Sequence, residues 1–385
     1  MKPWFSHSLF PAVLAAAALA VVPSCNKGGG GSSGDVIKVG EFASLTGKEA
    51  TFGQSSHEGT ALAVEEINAA GGVLGKQIKL ITEDNQSKPG ESANIANKLI
   101  SRDGVVALLG EVASGRSLEA APIAQEAKIP MISPASTNPS VTQIGDYVFR
   151  VCFIDPFQGT VMANFAKQTL KAEKVAVLTD AKNDYSKGLA KAFKEQLAKN
   201  GGTLAAELNY NGGDKDFKAQ LTTIKGAEPQ AVFVPGYYND VALIAIQSKE
   251  IGLTVPLFGG DGWESPDLIT VGKESVNGYY FSTHCSPEDT SEKMTSFVTA
   301  YKAKYNKQPD AMAALGYDSA YVLAEAIKRA GSTEPAALRD AIAATKDFEG
   351  VTGKFSLNDA RDAVKSAAIL AIKDGKFTFL ESIAP

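Results

Sequence analysis

"VVALLGEVASGRS", residues 105–117, is the stretch on which the fold turns. Val105, Val106, Ala107, Leu108 and Leu109 make an apolar run without polar alternation, the pattern of a strand covered on both faces. At Gly110 the run breaks into small and hydroxyl residues, and residues 117–127 read as a helix. Strand, small-residue turn and helix form one βα unit of a parallel sheet.

The unit recurs outward from there. Upstream lie a strand "VIKVGEF", a helix over 54–70 with Gly59, Leu62, Ala63, Ile67 and Ala70 on one face, a strand "QIKLITE" and a helix over 93–101. Downstream, "IPMIS" and "YVFRVCF" are extended and 157–170 is helical. "KVAVLTD", "LAAELNY", "AVFVPGY", "VPLFGG" and "NGYYFSTHC" then read as strands, with helices over 188–198, 217–224 and 241–251 between them. Helices over 291–305, 311–330 and 335–344 follow, and "KSAAILAIKDGKFTFLES" reads as a hairpin around "KDGK". Two runs of βα units, before and after Phe149, predict an α/β protein of two doubly wound, Rossmann-like lobes.

Composition allows this. The chain has 385 residues, 44% apolar and 21% charged, enough for two domains. A net charge of −5 leaves no basic excess to neutralise phosphates, which argues against nucleic acid. Residues 1–24 read as an export signal: Lys2, the apolar run "LFPAVLAAAALAVV", then "PSC". "VPSC" resembles a bacterial lipoprotein signal with Cys25 lipidated, and residues 25–35 read as a flexible Gly/Ser tether. The expected location is the periplasm or cell envelope, with membrane contact through the lipid. Cys152 and Cys285 are a single pair that a disulfide could join, although two buried thiols is the plainer reading.

Catalysis finds little support. Beyond His7 in the signal, only His57 and His284 occur, neither beside a nucleophile, and structural or solvated roles suit both. There is no Walker sequence, no GxGxxG and no metal-ligand spacing, so no enzyme, cofactor or metal is expected. In doubly wound sheets, ligands gather where strands end and helices begin. Those places here are "LLGEVASGRS", "MISPAST", "VLTDAKNDYS", "VFVPGYYND" and "LFGGDGWES". Small hydroxyl residues and backbone N–H groups at helix N-termini suit an anionic group, and Asp261 suits a cation.

Across "VGEFASLTG", "INAAGGVLGKQIKL", "SPAST", "FIDPFQG" and "KDFKAQLTTIK" the chain resembles periplasmic branched-chain amino-acid-binding proteins of ABC transporters. The resemblance implies a type I periplasmic-binding fold crossing three times between lobes, near Val151, Ser286 and Gly350. Lobe 1 would be 36–150 plus 286–350, and lobe 2 151–285 plus 351–385. Cys152 and Cys285 would both lie in hinge strands. Residue by residue it implies a ligand clamp of Ser114, Ala135 and Thr137 on lobe 1 and Tyr185, Tyr237 and Asp261 on lobe 2. Asp261 stands where the compared branch has Glu, keeping charge and losing reach. Phe52 matches an aromatic wall, and Val112, Ala113 and Trp263 would line the pocket. Arg116 stands where that branch has hydroxyls, and reads either as a ligand contact or as a solvated residue of a first helical turn. The implied function is capture of a branched-chain or other apolar amino acid by hinge closure and delivery to membrane permease subunits. The alternatives are an amide, urea or aromatic acid as ligand, or a sensor serving a separate membrane receptor.

Overall fold

The structure, a computed structural model, describes residues 36–385. The signal, Cys25 and the tether lie outside the described residues. In chain order the elements begin with β1 (Ile37–Ala43), α1 (Ala50–Ala69), β2 (Ile78–Asp84), α2 (Glu91–Ser101), β3 (Ala107–Leu109), α3 (Ser114–Ala127), β4 (Met131–Ser133), α4 (Ser140–Gln143) and β5 (Val148–Arg150). The five strands form one parallel sheet in the order β2-β1-β3-β4-β5.

The non-alternating run behaves as expected. Ala107 and Leu109, with Ile132 and Phe149, pack into the cluster that holds Phe52, Ala63 and Leu315. Leu108 between them, with Met131 and Val148, packs into a second cluster with Ile95, Leu99, Ala120 and Ala124. Successive residues therefore face opposite helical layers, and each layer needs an apolar partner.

A second set follows: α5 (Asp155–Gln168), β6 (Lys174–Asp180), α6 (Asp184–Lys199), β7 (Thr203–Tyr210), α7 (Lys218–Gly226), β8 (Ala231–Phe233), α8 (Tyr238–Glu250), β9 (Leu257–Gly259), α9 (Pro266–Gly272) and β10 (Tyr280–Thr283). Then come α10 (Glu292–Tyr305), α11 (Ala311–Ala330), α12 (Pro335–Ala343), β11 (Phe348–Gly350), β12 (Gly353–Leu357), β13 (Ala363–Val364), β14 (Ala367–Lys373) and β15 (Lys376–Ile383). The second sheet runs β15-β14-β10-β9-β8-β6-β7, with the β14–β15 hairpin antiparallel on β10.

The chain passes between the sheets after β5, after β10 and before β14. After β10 it returns to the first sheet, where α11 lies along α1. Glycine permits that contact: a Cβ at Gly59 would run into the Ala313 carbonyl, and one at Gly316 into the Ser56 carbonyl. The Asp310 carboxylate caps α11 by accepting from the Ala313 N–H at 2.9 Å, and Gly331 ends the helix at φ 64°. The third passage lies near Ser366 rather than at Gly350. The turn after β12 is still tied to the first sheet, because Arg361 donates to the Thr142 carbonyl at 2.7 Å and Asp362 pairs with Arg150.

Cys152 and Cys285 are free thiols, the plainer of the two readings of the pair. Cys152 donates instead to the Ser136 carbonyl at 3.4 Å, and burial pushes its thiol up to about 12. Helices α3, α6 and α8 begin about one turn earlier than their apolar periodicity indicates. Their first turns are polar, and that of α6 is capped: the Asn183 side chain accepts from the Tyr185 N–H at 2.9 Å and the Ser186 N–H at 3.3 Å.

Candidate functional site

Ser114 opens α3, Tyr185 lies in the first turn of α6 and Tyr237 is the residue before α8. The early helix starts thus bring three expected site residues to helix N-termini, where backbone N–H groups lack internal partners. Asp261 follows β9 in a single 3-10 turn, Asp261–Trp263. Gly260 lets the turn pack closely there: a Cβ would meet the ends of the Gln158, Tyr185 and Leu189 side chains, which would have to shift.

Asp261 is buried, with both carboxylate oxygens engaged: Gln158 Nε2 donates to Oδ1 at 2.8 Å, and His284 Nε2 lies 3.0 Å from Oδ2. The Tyr185 hydroxyl accepts from the Gly262 N–H at 3.1 Å. The Tyr185 ring stacks on Tyr237 at 5.2 Å, and Phe52 meets Tyr237 edge-on at 5.3 Å. Phe52, from α1, therefore joins second-sheet tyrosines in one aromatic wall. Trp263 does not face this space. Its buried indole N–H donates to the Val234 carbonyl at 2.9 Å, which makes it a pin for the turn.

On the first-sheet side, "SPASTNPS" divides its labour. Ser133 and Ser136 both donate to the Glu111 carbonyl at 2.8 Å. Arg150, fully buried, donates to the carbonyls of Ser136 and Asn138 and to Thr142 Oγ1, and pairs with Asp362 at 2.6 Å. The Ser114 hydroxyl accepts from the Asn138 N–H at 3.2 Å. Most of the hydroxyls thus shape the loop. Buried Thr137 alone among them has an oxygen without a regular hydrogen-bond partner.

Ala135 is buried beside Thr137 in that loop. Ala113 and Val112 are buried as well, the first donating its N–H to Glu111 Oε2 at 2.6 Å and the second accepting Ser136 at its carbonyl. Burial, with the nearby charge of Glu49, pushes the Glu111 carboxyl up to about 7.

Asp155 at the head of α5 is the residue that sequence reasoning missed most plainly. It is fully buried, and neither carboxylate oxygen has a regular hydrogen-bond partner. Burial pushes it up to about 8, with the Asp261 charge adding to the rise and the Thr137 hydroxyl beside it opposing. The folded state then holds a proton that the unfolded chain releases above about pH 4, so this group's contribution to stability falls as pH rises from about 4 toward 8. Asp155→Asn is expected to stabilise the ligand-free protein by about 1–3 kcal/mol at pH 8 and by little at pH 4. Urea unfolding at the two pH values measures this. Gln158 and His284 were missed too. Asp155 and Gln158 both sit in "FIDPFQG", a motif noticed for its resemblance and not for its polar residues.

The two sheet layers meet around this centre. Thr51 and Ser265 hydroxyls lie 2.8 Å apart, the Tyr238 hydroxyl donates to the Lys48 carbonyl at 3.0 Å, and Asn138 Nδ2 donates to the Asp184 carbonyl at 2.8 Å. A cavity of about 440 Å³ lies between the layers, lined by Ala113, Gly115, Arg116, Asn183, Tyr237 and Glu49 among others. Arg116 is largely buried and paired. Its guanidinium lies 2.6 Å from Glu119 and 3.5 Å from Glu49. Among the described residues no cluster of His, Cys, Asp or Glu could hold a metal ion, and no helix is long and apolar enough to cross a membrane.

Residues 36–376 match the family described as periplasmic binding protein. The Leu/Ile/Val-binding protein homolog 3 of Brucella melitensis is 33% identical over 351 residues, covering 90% of this chain and 94% of that one. A leucine-binding protein of Thermotoga maritima, solved by crystallography, is 42% identical with a TM-score of 0.88, over 91% of this chain and 99% of its own. A branched-chain amino-acid transporter substrate-binding protein of Streptococcus pneumoniae, crystallised with isoleucine, is 38% identical with a TM-score of 0.87, over 91% of this chain and 100% of its own. With two doubly wound sheets, three passages between them and a match over nearly all its described length, the chain belongs to the periplasmic binding protein family, of type I fold.

Proposed function

We propose that this protein captures an apolar, branched-chain α-amino acid between two lobes and delivers it to an ABC permease. One observation carries the reading. Thr137 Oγ1, the Asp155 carboxyl and Gln158 Oε1 are buried oxygens without regular partners, grouped with the carboxylate of Asp261. Such a group calls for a compact cation with several N–H donors, which is what an ammonium supplies. The carboxylate of the same ligand suits Ser114, the backbone N–H groups of Ala135 and Thr137 and the α3 N-terminus, the Ser136 N–H being spent on the Ser133 hydroxyl at 2.9 Å. Phe52, Tyr185, Tyr237, Val112 and Ala113 offer an apolar surround for the side chain. Relatives named for leucine, isoleucine and valine support the same class.

The lobes are taken as 36–150 plus 286–365 and 151–285 plus 366–385, the third boundary moved from Gly350 to Ser366. Bonds such as Thr51 to Ser265 would then form on closure. Lipidation at Cys25, with residues 25–35 as tether, would keep this binding unit at the cell envelope beside its permease.

Titration calorimetry with L-leucine and with 4-methylpentanoate, its analogue without the ammonium, tests the assignment. Leucine is expected to bind at least about a hundredfold more tightly, because the analogue leaves Asp261 and its neighbours without a cation. Equal affinities would move the ligand to acids lacking an amine.

A further inference from the structure

We infer that His284 is a positioning residue for ligand capture: its Nε2–H holds the Asp261 carboxylate in place for the ligand ammonium. The inference rests on the reading that the ligand is an amino acid. Asp261 is shorter by one methylene than a glutamate, so where its carboxylate points depends on what grips it. Two side chains do, Gln158 at 2.8 Å on one oxygen and His284 at 3.0 Å on the other. Gln158 comes from α5, whereas His284 lies in the passage that leaves β10 for the first sheet.

The imidazole is also fixed from its other side. It is buried and stacks on Phe153 at 3.9 Å between centroids, with 29° between the planes. Phe153 belongs to the first passage and His284 to the second. One ring therefore joins two of the three strands that must flex if the lobes open to the carboxylate that meets the ligand.

Its protonation state follows from its partners. The nitrogen facing a carboxylate carries the proton, which leaves Nδ1 as the unprotonated nitrogen of a neutral ring, and Nδ1 has no partner. A second proton would put an unsatisfied N–H at Nδ1. Burial lowers the His284 pKa, Asp261 opposes this and Lys365 adds to it. Cys285 is the adjacent titratable side chain in the chain, and burial keeps it protonated. Asp155 and Glu264 are the other titrating groups near Asp261, each pushed up to about 8 by burial with the Asp261 charge adding to the rise, and Glu264 accepts from Thr283 beside His284. Protonated His284 would neutralise the charge that the ligand ammonium requires, so acid should weaken binding through this ring.

Calorimetry with L-leucine from pH 5 to 8 on wild type, His284→Phe and His284→Gln separates the possibilities. Phe preserves the stack and removes the donor; Gln restores a donor and cannot titrate. His284→Phe is expected to raise Kd about ten- to a hundredfold at pH 8, the loss of one hydrogen bond to a charged group. His284→Gln should recover most of that loss. It should also lack the acid weakening of wild type, which can reach about tenfold per pH unit where one proton is displaced. Asp155 and Glu264 are common to both proteins, so the difference between their profiles belongs to His284. If His284→Phe fails to give a cooperative unfolding transition, the Gln profile decides alone. A Gln variant that keeps the wild-type pH profile, or a folded Phe variant that binds as wild type does, overturns the inference and leaves the amino-acid reading intact. A wild type that binds no amino acid at any pH overturns both.

Discussion

Asp261→Asn is expected to raise the Kd for the ligand by about 10²- to 10³-fold, the cost of removing one partner from a buried charge pair. The side chain is isosteric, so packing around Gly260 and Tyr185 is kept. What changes is charge: one acceptor oxygen becomes an amide that competes with Gln158 or His284 as a donor. Ligand-free stability should move much less than affinity, since the buried anion disappears along with its partners' strongest bond. Calorimetry and urea unfolding on the same preparation separate the two. A variant with unchanged Kd would mean that the ammonium is held elsewhere, with Asp155 the first place to look.

Arg150→Met should have the largest effect on stability, a loss of about 3–5 kcal/mol out of the 5–15 typical of folded proteins. Its guanidinium is fully buried and serves the carbonyls of Ser136 and Asn138, the Thr142 hydroxyl and Asp362. Removing it strands a buried carboxylate, and this term decides the size of the effect. Asp362→Asn added to Arg150→Met should therefore recover part of the loss, as removing both halves of a buried pair costs less than removing one. Thr137 lies between the two carbonyls that Arg150 holds, so ligand affinity should fall in the single variant and stay low in the double. Urea unfolding and calorimetry on both variants check this.

The fold was legible because its strands announce themselves. A run such as residues 105–109 needs cover on two sides, and the partition of Leu108 from Ala107 and Leu109 into separate clusters is that cover. What stayed hidden was the first turn of each site helix. Ser114, Tyr185 and Tyr238 are buried for contacts made across the molecule and carry no helical periodicity. The third passage was misplaced because Arg361 and Asp362 owe their position to Thr142 and Arg150, more than 200 residues earlier.

The site divides in the same way. Asp261 and Thr137 could be named from resemblance, yet nothing in "SPASTNPS" tells the buried hydroxyl left without a regular partner from those spent on Glu111. A lone histidine in an extended segment reads as structural until the fold sets its ring against Asp261. Asp155 gave no signal because an Asp before Pro at a helix start is an ordinary N-terminal residue.

Thermal unfolding of the body from Asp35 onward, cleared of retained ligand by unfolding and refolding, is the measurement to make first. Each L-amino acid is added at about 1 mM. A ligand that binds only the folded state stabilises it by RT ln(1 + [L]/Kd), about 4 kcal/mol at a thousandfold excess over Kd. Shifts of several degrees with leucine, isoleucine, valine and close analogues, absent in Asp261→Ala, are the predicted result. No shift with any amino acid would contradict the assignment, while leaving the fold as described.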